Sequence, residues 1–444
     1  MTERIAIVGA GHVGLVYAAC LAEIGHDVAC VDIDTDRIRM LQHARLPIYE
    51  SGLDELVRRH LDGGRLSFTT DYARGISDRE FIFIAVSTPS TADGAADLRA
   101  VRTAARSIAA ASQHPCPIII NKSTVPVGTG DSVDHILAES GDRSFRVVSN
   151  PEFLREGTAV HDFFHPDRIV LGSRDETAAC RVAELYASLE APVLISDVKT
   201  AEMIKYASNA FLATKISFIN EIAQICEAVG ADAAQVAHGM GLDPRVGPHF
   251  LQHGLGFGGS CLPKDVRALA FMGSVFGTHP QLLNAVMQIN ADQRRRVLHT
   301  LRRSLGSLEG ARVCILGLAF KPNTDDVRDA PSADIIHLLI NEGASVHACD
   351  PQANAMMARL CPDAQYFASP YDAARDCDAV VLATEWDEFC RLDLRALRAS
   401  MRAPLFIDGR SVFPRGELER AGFIVPDARS TPLFLRDHVM EAVP

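Results

Sequence analysis

No uncharged apolar run in the sequence approaches the ~20 residues needed to cross a bilayer, so no transmembrane helix is expected. No secretory apolar core and no small-residue cleavage site precede the first apolar strand, which predicts a cytoplasmic protein. Basic residues are in deficit: 44 Lys and Arg against 56 Asp and Glu leave a net charge of −12. That balance argues against a nucleic-acid binder that works by neutralising phosphates. It leaves room for an anionic substrate in a locally positive site. The eleven cysteines are odd in number, scattered and never spaced CxxC, which excludes a disulfide framework and predicts buried, reduced thiols. Tandem repeats and low-complexity tracts are also absent. What remains is an ordinary globular composition, 48% apolar and 23% charged, long enough at 444 residues for two or three domains.

The order of apolar runs then suggests the organisation. Residues 4–8 form a short apolar run, followed by Gly9-Ala10-Gly11-His12-Val13-Gly14 and a helical pattern to about residue 24. A second run at 28–31 ends at Asp32. Further strand candidates lie at 81–86, 118–121, 147–149 and 169–171, with helical patterns between several of them, which implies a parallel sheet covered on both faces. Residues 199–229 are Ala-rich, free of Pro and internal Gly, and carry apolar side chains at helical spacing. Such a helix is a rod of roughly 45 Å and suits a spine between domains or a dimer interface. Helical patterns continue to about residue 305. A second α/β unit follows, with strands at 313–316, 346–349, 379–383 and 405–407 and a helix over 332–342. It has no G-x-G-x-x-G turn, so a dinucleotide is expected on the first unit.

Gly9, Gly11 and Gly14 stand where a dinucleotide fingerprint belongs, between a strand and the N-terminus of a helix whose free N–H groups suit an anion. Asp32, 18 residues past Gly14, is placed to bind a ribose 2′-hydroxyl and to repel a 2′-phosphate. This favours NAD over NADP despite the nearby Arg37. In Gly256-Phe257-Gly258-Gly259-Ser260-Cys261-Leu262-Pro263-Lys264-Asp265, a cysteine follows three glycines where a helix is expected to begin. A thiol there, beside Lys264, is either an activated nucleophile or a buried structural cysteine. Asp265 is four residues on and could face it. Lys205 and Asn209, also four apart, either bind a developing oxyanion or present a solvated lysine. Asn150-Pro151-Glu152-Phe153-Leu154-Arg155-Glu156-Gly157 offers two carboxylates as a general base, or else an acidic helix start. Lys122-Ser123-Thr124-Val125-Pro126 puts hydroxyls at a strand C-terminus, where doubly wound folds bind ligands. His161 and His165 have a metal-ligand spacing, but Pro166 follows and no third ligand is evident, so no metal is expected.

Together these motifs closely resemble the UDP-glucose/GDP-mannose dehydrogenase family. Asn150–Gly157, Glu202–Asn209, Gly256–Leu269 and Phe320–Asp329 match in order and at family spacing, over essentially the whole chain. Thr384-Glu385-Trp386, Glu388-Phe389 and Asp408-Gly409-Arg410 look like the UDP-glucose branch. The resemblance implies an α/β protein with two doubly wound Rossmann-like domains joined by a long central helix and a helical dimerisation region. The corresponding segments are 1–198 for NAD, 199–308 for the linker, dimerisation and cysteine loop, and 309–444 for the UDP-sugar. It implies a homodimer and a four-electron oxidation of UDP-glucose to UDP-glucuronate with two NAD+. GDP-mannose or a UDP-N-acetylhexosamine is the alternative substrate. A two-electron hydroxyacid dehydrogenase would have no need of Cys261, and a non-catalytic NAD-binding protein would have no need of the other site residues.

The same resemblance implies roles. Cys261 would be the nucleophile, Lys205 and Asn209 the oxyanion partners, Glu152 the base, and Thr124 and Asp265 would position or activate water. NAD contacts would fall to Gly9, Gly11, His12, Val13, Gly14, Asp32, Arg37, Thr88, Ser123, Thr124, Glu156, Lys264 and Arg328. Sugar-nucleotide contacts would fall to Glu152, Phe153, Leu154, Lys205, Asn209, Phe257, Gly258, Phe320, Lys321 and Arg410, with Arg245 arriving from the partner subunit.

Overall fold

The structure, a computed structural model, describes residues 2–139 and 145–426. The described residues divide into two compact units, one within residues 2–208 with 267–278 and the other within 209–266 with 279–426.

The first unit is built on an eight-stranded sheet. Its strands are β1 (Arg4–Val8), β2 (Asp27–Val31), β3 (Leu66–Thr69), β4 (Phe81–Ile84), β5 (Ile118–Asn121), β6 (Arg146–Ser149), β7 (Ile169–Ser173) and β8 (Val193–Ser196), in the order β3-β2-β1-β4-β5-β6-β7-β8. The central strands are apolar over most of their length because both faces are covered. Alternation still sorts their side chains. Ile5, Ile7, Phe81 and Phe83 pack on the face covered by helices His12–Glu23 and Ala159–Phe164, whereas Ala6, Val8, Ile82 and Ile84 pack under helices Arg99–Ala111 and Thr129–Ala138. The strand order reverses between β1 and β4. The crevice at their C-terminal ends is the topological switch point, where such sheets bind ligands.

The second unit holds a five-stranded parallel sheet: β9 (Arg312–Leu316), β10 (Ser345–Cys349), β11 (Gln365–Phe367), β12 (Ala379–Leu382) and β13 (Leu405–Asp408), ordered β11-β10-β9-β12-β13. The chain's one tryptophan, Trp386, is buried and donates from Nε1 to Asp350 Oδ2 at 3.0 Å, at the end of β10. The same carboxylate accepts the backbone N–H groups of Leu318, Ala319, Gln352 and Ala353.

Two features depart from the expected pattern. The first sheet is not parallel throughout, because β6 and β7 pair antiparallel. β3, β8 and β11, which were not expected, lie at sheet edges: β3 and β11 are interrupted by exposed polar positions, whereas β8 is a short apolar run, Val193-Leu194-Ile195, that stays exposed.

The helix Val198–Val229 is 32 residues long, as its uninterrupted periodicity predicts. From Asn209 onward it belongs to the second unit, where Ser217 Oγ donates to Val286 O and Asn220 Oδ1 accepts from Gly254 N. Its other face exposes Phe211, Phe218, Ile225 and Val229, at 65, 43, 54 and 69%. Helix is not continuous to residue 305: the helix Ala233–Gly241 ends, and 242–261 run irregularly to the helix Leu262–Val275.

Candidate active site

The Gly-rich turn joins β1 to helix His12–Glu23. Gly14 is fixed by close approach, since a Cβ there would lie 1.9 Å from Gly9 O. Gly11 differs, because a Cβ on it would meet no atom within 4 Å. The space over Gly11 is open, as a backbone that must admit a ligand requires. Asp32, at the end of β2, is buried and accepts from Ala10 N at 2.6 Å and Asp34 N at 2.9 Å. Arg37 turns its guanidinium onto this carboxylate at 3.2 Å, so its charge is engaged by the acid. At the tips of β4 and β5, Thr88 Oγ1 donates to Thr124 O and Ser123 Oγ donates to Val86 O. These bonds bring Thr88, Ser123 and Thr124 to one edge of the same crevice. Val13 packs against the core beneath the turn.

Beyond β6, Asn150–Gly157 forms a loop, and helix begins only at Ala159, so Glu152 and Glu156 are not an acidic helix start. Glu152 is buried and lies 3.0 Å from Lys205 Nζ, itself 4% exposed. Lys205 is therefore no solvated lysine. Burial works against the charge of Glu152, but Lys205, the Leu154 N–H at 2.6 Å and Lys122 together hold the carboxyl below its usual range. It is ionised at neutral pH. The ring of Phe153 lies between two cations, with Arg168 at 3.8 Å and Lys205 at 5.3 Å from its centroid.

Several residues to which the sequence reading assigned no role complete this region. Lys122, fully buried, donates to Asn150 Oδ1 at 2.9 Å and sits 4.0 Å above the Tyr17 ring; burial drives its ammonium well below the usual lysine range. Glu202 accepts from Gly128 N and Gly130 N at 2.6 and 2.7 Å, and burial pushes its carboxyl up to about 7. A cavity of about 10 Å³, room for one water, lies among Asn121, Thr124, Glu202 and Lys205. The sequence signal for Lys122 was its place beside the hydroxyls at a strand end. Glu202 opens the matched block Glu202–Asn209 but had no role assigned, and Arg168 gave no signal.

In the second unit, the cysteine loop is threaded where only glycine fits. A Cβ on Gly258 would lie 2.4 Å from Asp329 O, and one on Gly259 would lie 2.6 Å from the Phe320 ring. Asn290 clamps Phe257 from both sides, accepting its N–H at 2.7 Å and donating to its carbonyl at 3.0 Å. Cys261 is part-exposed at the start of helix Leu262–Val275, with its Sγ 3.6 Å from Ser260 Oγ. Asp265, 1% exposed, accepts from Asn209 Nδ2 at 2.6 Å and pairs with Lys264 at 2.5 Å. Its carboxylate is thus turned to Asn209 and Lys264. Arg410 fastens three segments, donating to Ala383 O, Gly256 O and Phe320 O. Lys321 Nζ lies 5.5 Å from the Phe320 ring. Arg328 pairs with Asp326, and Arg245 is exposed with its guanidinium on Asp243. His161 and His165 stack their rings at 4.5 Å, and no cluster of three metal-binding side chains occurs among the described residues.

With this geometry in view, the chain can be set beside known proteins. Residues 3–190 match the NAD binding domain of the UDP-glucose/GDP-mannose dehydrogenase family, 199–292 its central domain and 314–415 its UDP binding domain. A UDP-glucose 6-dehydrogenase of Bacillus subtilis is 47% identical, over 95% of this chain and 92% of its own length. One from Pseudomonas aeruginosa is 46% identical, over 95% and 96%. Among solved structures, a UDP-glucose dehydrogenase from Pyrobaculum islandicum superposes with a TM-score of 0.90 at 39% identity, covering 96% of this chain and 97% of that one.

The two glycines of the turn predict opposite results. Gly14→Ala forces a methyl into backbone and is expected to cost at least about 3 kcal/mol in denaturant unfolding. Gly11→Ala is expected to leave stability unchanged and to abolish dinucleotide binding in a titration. A Gly11→Ala protein that binds NAD+ normally would contradict the assignment of that open space.

Proposed function

The chain belongs to the UDP-glucose/GDP-mannose dehydrogenase family, and we propose from that premise that it oxidises C6 of UDP-glucose to the carboxylate of UDP-glucuronate, with NAD+ as oxidant in both steps. The observation that carries the reading is a part-exposed cysteine at the end of a glycine-only loop in the second unit, and the buried Lys205–Glu152 ion pair of the first unit supports it independently. An alcohol dehydrogenase that stops at the aldehyde has no use for the thiol.

NAD+ fits the first unit. Gly9, Gly11 and Gly14 with the N–H groups of His12 and Val13 would hold its pyrophosphate, and Asp32 its ribose. Thr88, Ser123, Thr124 and Glu156, with Lys264 and Arg328, would complete the site. When bound, NAD+ supplies the hydride acceptor for both oxidations.

The residues divide the remaining work. In the first step C6 loses a hydride to NAD+ and its hydroxyl gives a proton to water, and the resulting aldehyde oxygen is met by Lys205 and Asn209. The Cys261 thiolate adds to the aldehyde carbon, forming a C–S bond and an oxyanion on the same two partners. Loss of a second hydride from C6 leaves a thioester. Water, activated by Glu152 and positioned by Thr124 and Asp265, adds to that carbonyl. The C–S bond then breaks, releasing the carboxylate and restoring the thiolate.

Phe153, Leu154, Phe257, Gly258, Phe320, Lys321 and Arg410 hold the sugar nucleotide. Arg245, unengaged except by its own neighbour Asp243, reaches the site of a partner subunit. The segments 1–198, 199–308 and 309–444 carry the cofactor, the dimer contact with the cysteine loop, and the UDP-sugar. The apolar stripe Phe211, Phe218, Ile225 and Val229 supports a dimer built on the long helix, since a face of that kind on a lone surface helix is an association site. Eleven cysteines that form no disulfide among the described residues support a reducing, cytoplasmic compartment.

Two experiments test this reading. Cys261→Ala is expected to retain NAD+ binding and to lose net UDP-glucuronate formation; sustained uronate production by that variant overturns the covalent route. Phe218→Glu is expected to convert a dimer to monomers in light scattering, and a wild-type protein that is monomeric at micromolar concentration refutes the helix interface.

A further inference from the structure

Glu50 lies in the segment between helices Thr35–Gln42 and Leu53–Asp62, outside every motif discussed so far. It is 4% exposed, and its side chain is shielded completely. A buried carboxylate costs several kcal/mol unless its oxygens are satisfied. Here three groups satisfy it. Oε2 lies 2.7 Å from His12 Nε2 and accepts the Gly157 N–H at 2.7 Å, and Oε1 accepts the Ala159 N–H at 2.9 Å. One carboxylate therefore grips both the first residue of the Gly-rich helix and the end of the loop that carries Glu152, Phe153, Leu154 and Glu156.

We propose that Glu50 is a positioning residue of the cofactor site: through His12 it sets the charge at the Gly-rich turn, through Gly157 and Ala159 it fixes the neighbouring loop, and NAD+ affinity therefore depends on the protonation of His12. The inference rests on the NAD+ reading above and not on the identity of the sugar.

The electrostatics are one-sided. Burial disfavours the imidazolium, and the positive end of helix His12–Glu23 opposes it too. Against these stand the hydrogen bond to Glu50 and the charges of Glu156, Glu50 and Glu152, all facing His12, and the net direction is upward from the ordinary histidine value. His12 thus keeps its proton to higher pH than a free histidine. While protonated it adds a cation to a turn that already suits an anion. The sign follows. NAD+ binds best below the pKa of His12 and weakens as pH rises through it. Removing the Glu50 charge lowers that pKa, so the weakening begins at lower pH.

The test is calorimetric titration of the full-length protein with NAD+ alone, from about pH 6 to about pH 9. The wild-type dissociation constant is expected to rise on the order of fivefold across this range. His12→Gln, which has no titrating ring, is expected to show a flat profile near the wild-type high-pH value. Glu50→Gln is expected to shift the midpoint of the rise to lower pH. A flat wild-type profile overturns the proposal, as does a His12→Gln profile that keeps the wild-type slope. An unshifted midpoint in Glu50→Gln removes Glu50 from it. If Glu50→Gln does not fold, the wild-type and His12→Gln profiles still decide the role of His12. Because no sugar nucleotide is present, failure here is distinct from failure of the UDP-glucose reading, which would leave NAD+ binding intact.

Discussion

The first unit depends on one buried carboxylate surrounded by bases. Glu152 is paired with Lys205 at 3.0 Å, is influenced by Lys122 from within the core, and is followed in sequence by a phenyl ring that stacks on Arg168. Burying these charges costs several kcal/mol per ion, and the cost is offset only while they stay together. Such an arrangement is a poor way to stabilise a fold and a good way to hold preorganised positive charge where negative charge will develop.

Both sheets carry an acid at the same topological place, the end of the second strand of the unit, but use it differently. Asp32 takes one N–H of the glycine turn, at Ala10, and one of its own loop, at Asp34. The turn above it stays open over Gly11. Asp350 is saturated by four backbone N–H groups and by the indole of Trp386. That carboxylate is therefore fully engaged within its own unit, whereas Asp32 lies beneath a turn that is open over Gly11. In the second unit Arg410 draws the Gly256, Phe320 and Ala383 carbonyls together, beside the cysteine loop.

Much of this was legible in the sequence because the governing effects are local. Central strands of a doubly covered sheet carry near-continuous apolar runs, so β1, β4, β5, β9 and β12 announce themselves. The glycines at 9, 11 and 14 mark the turn for the same steric reasons that the structure displays. Edge strands β3 and β11 carry no continuous run, the three-residue run of β8 is too short to separate a strand from a loop, and nothing local marks β7 as antiparallel to β6. Tertiary partners are harder still. Lys205 reads as a surface lysine until Glu152, 53 positions away in the chain, is found beside it. Glu50 meets Gly157 across 107 residues, and neither carries a periodic signal. Long-range polar pairs leave no trace in a hydrophobic pattern, and they are what turn a recognisable fold into a specific site.

The most direct test of the central claim is the number of NADH formed per UDP-glucose consumed, with purified protein and the sugar nucleotide limiting. Two NADH per sugar, with UDP-glucuronate as product, is the result this account predicts. One NADH per sugar, with the 6-aldehyde as product, would contradict it and leave Cys261 without the role assigned to it.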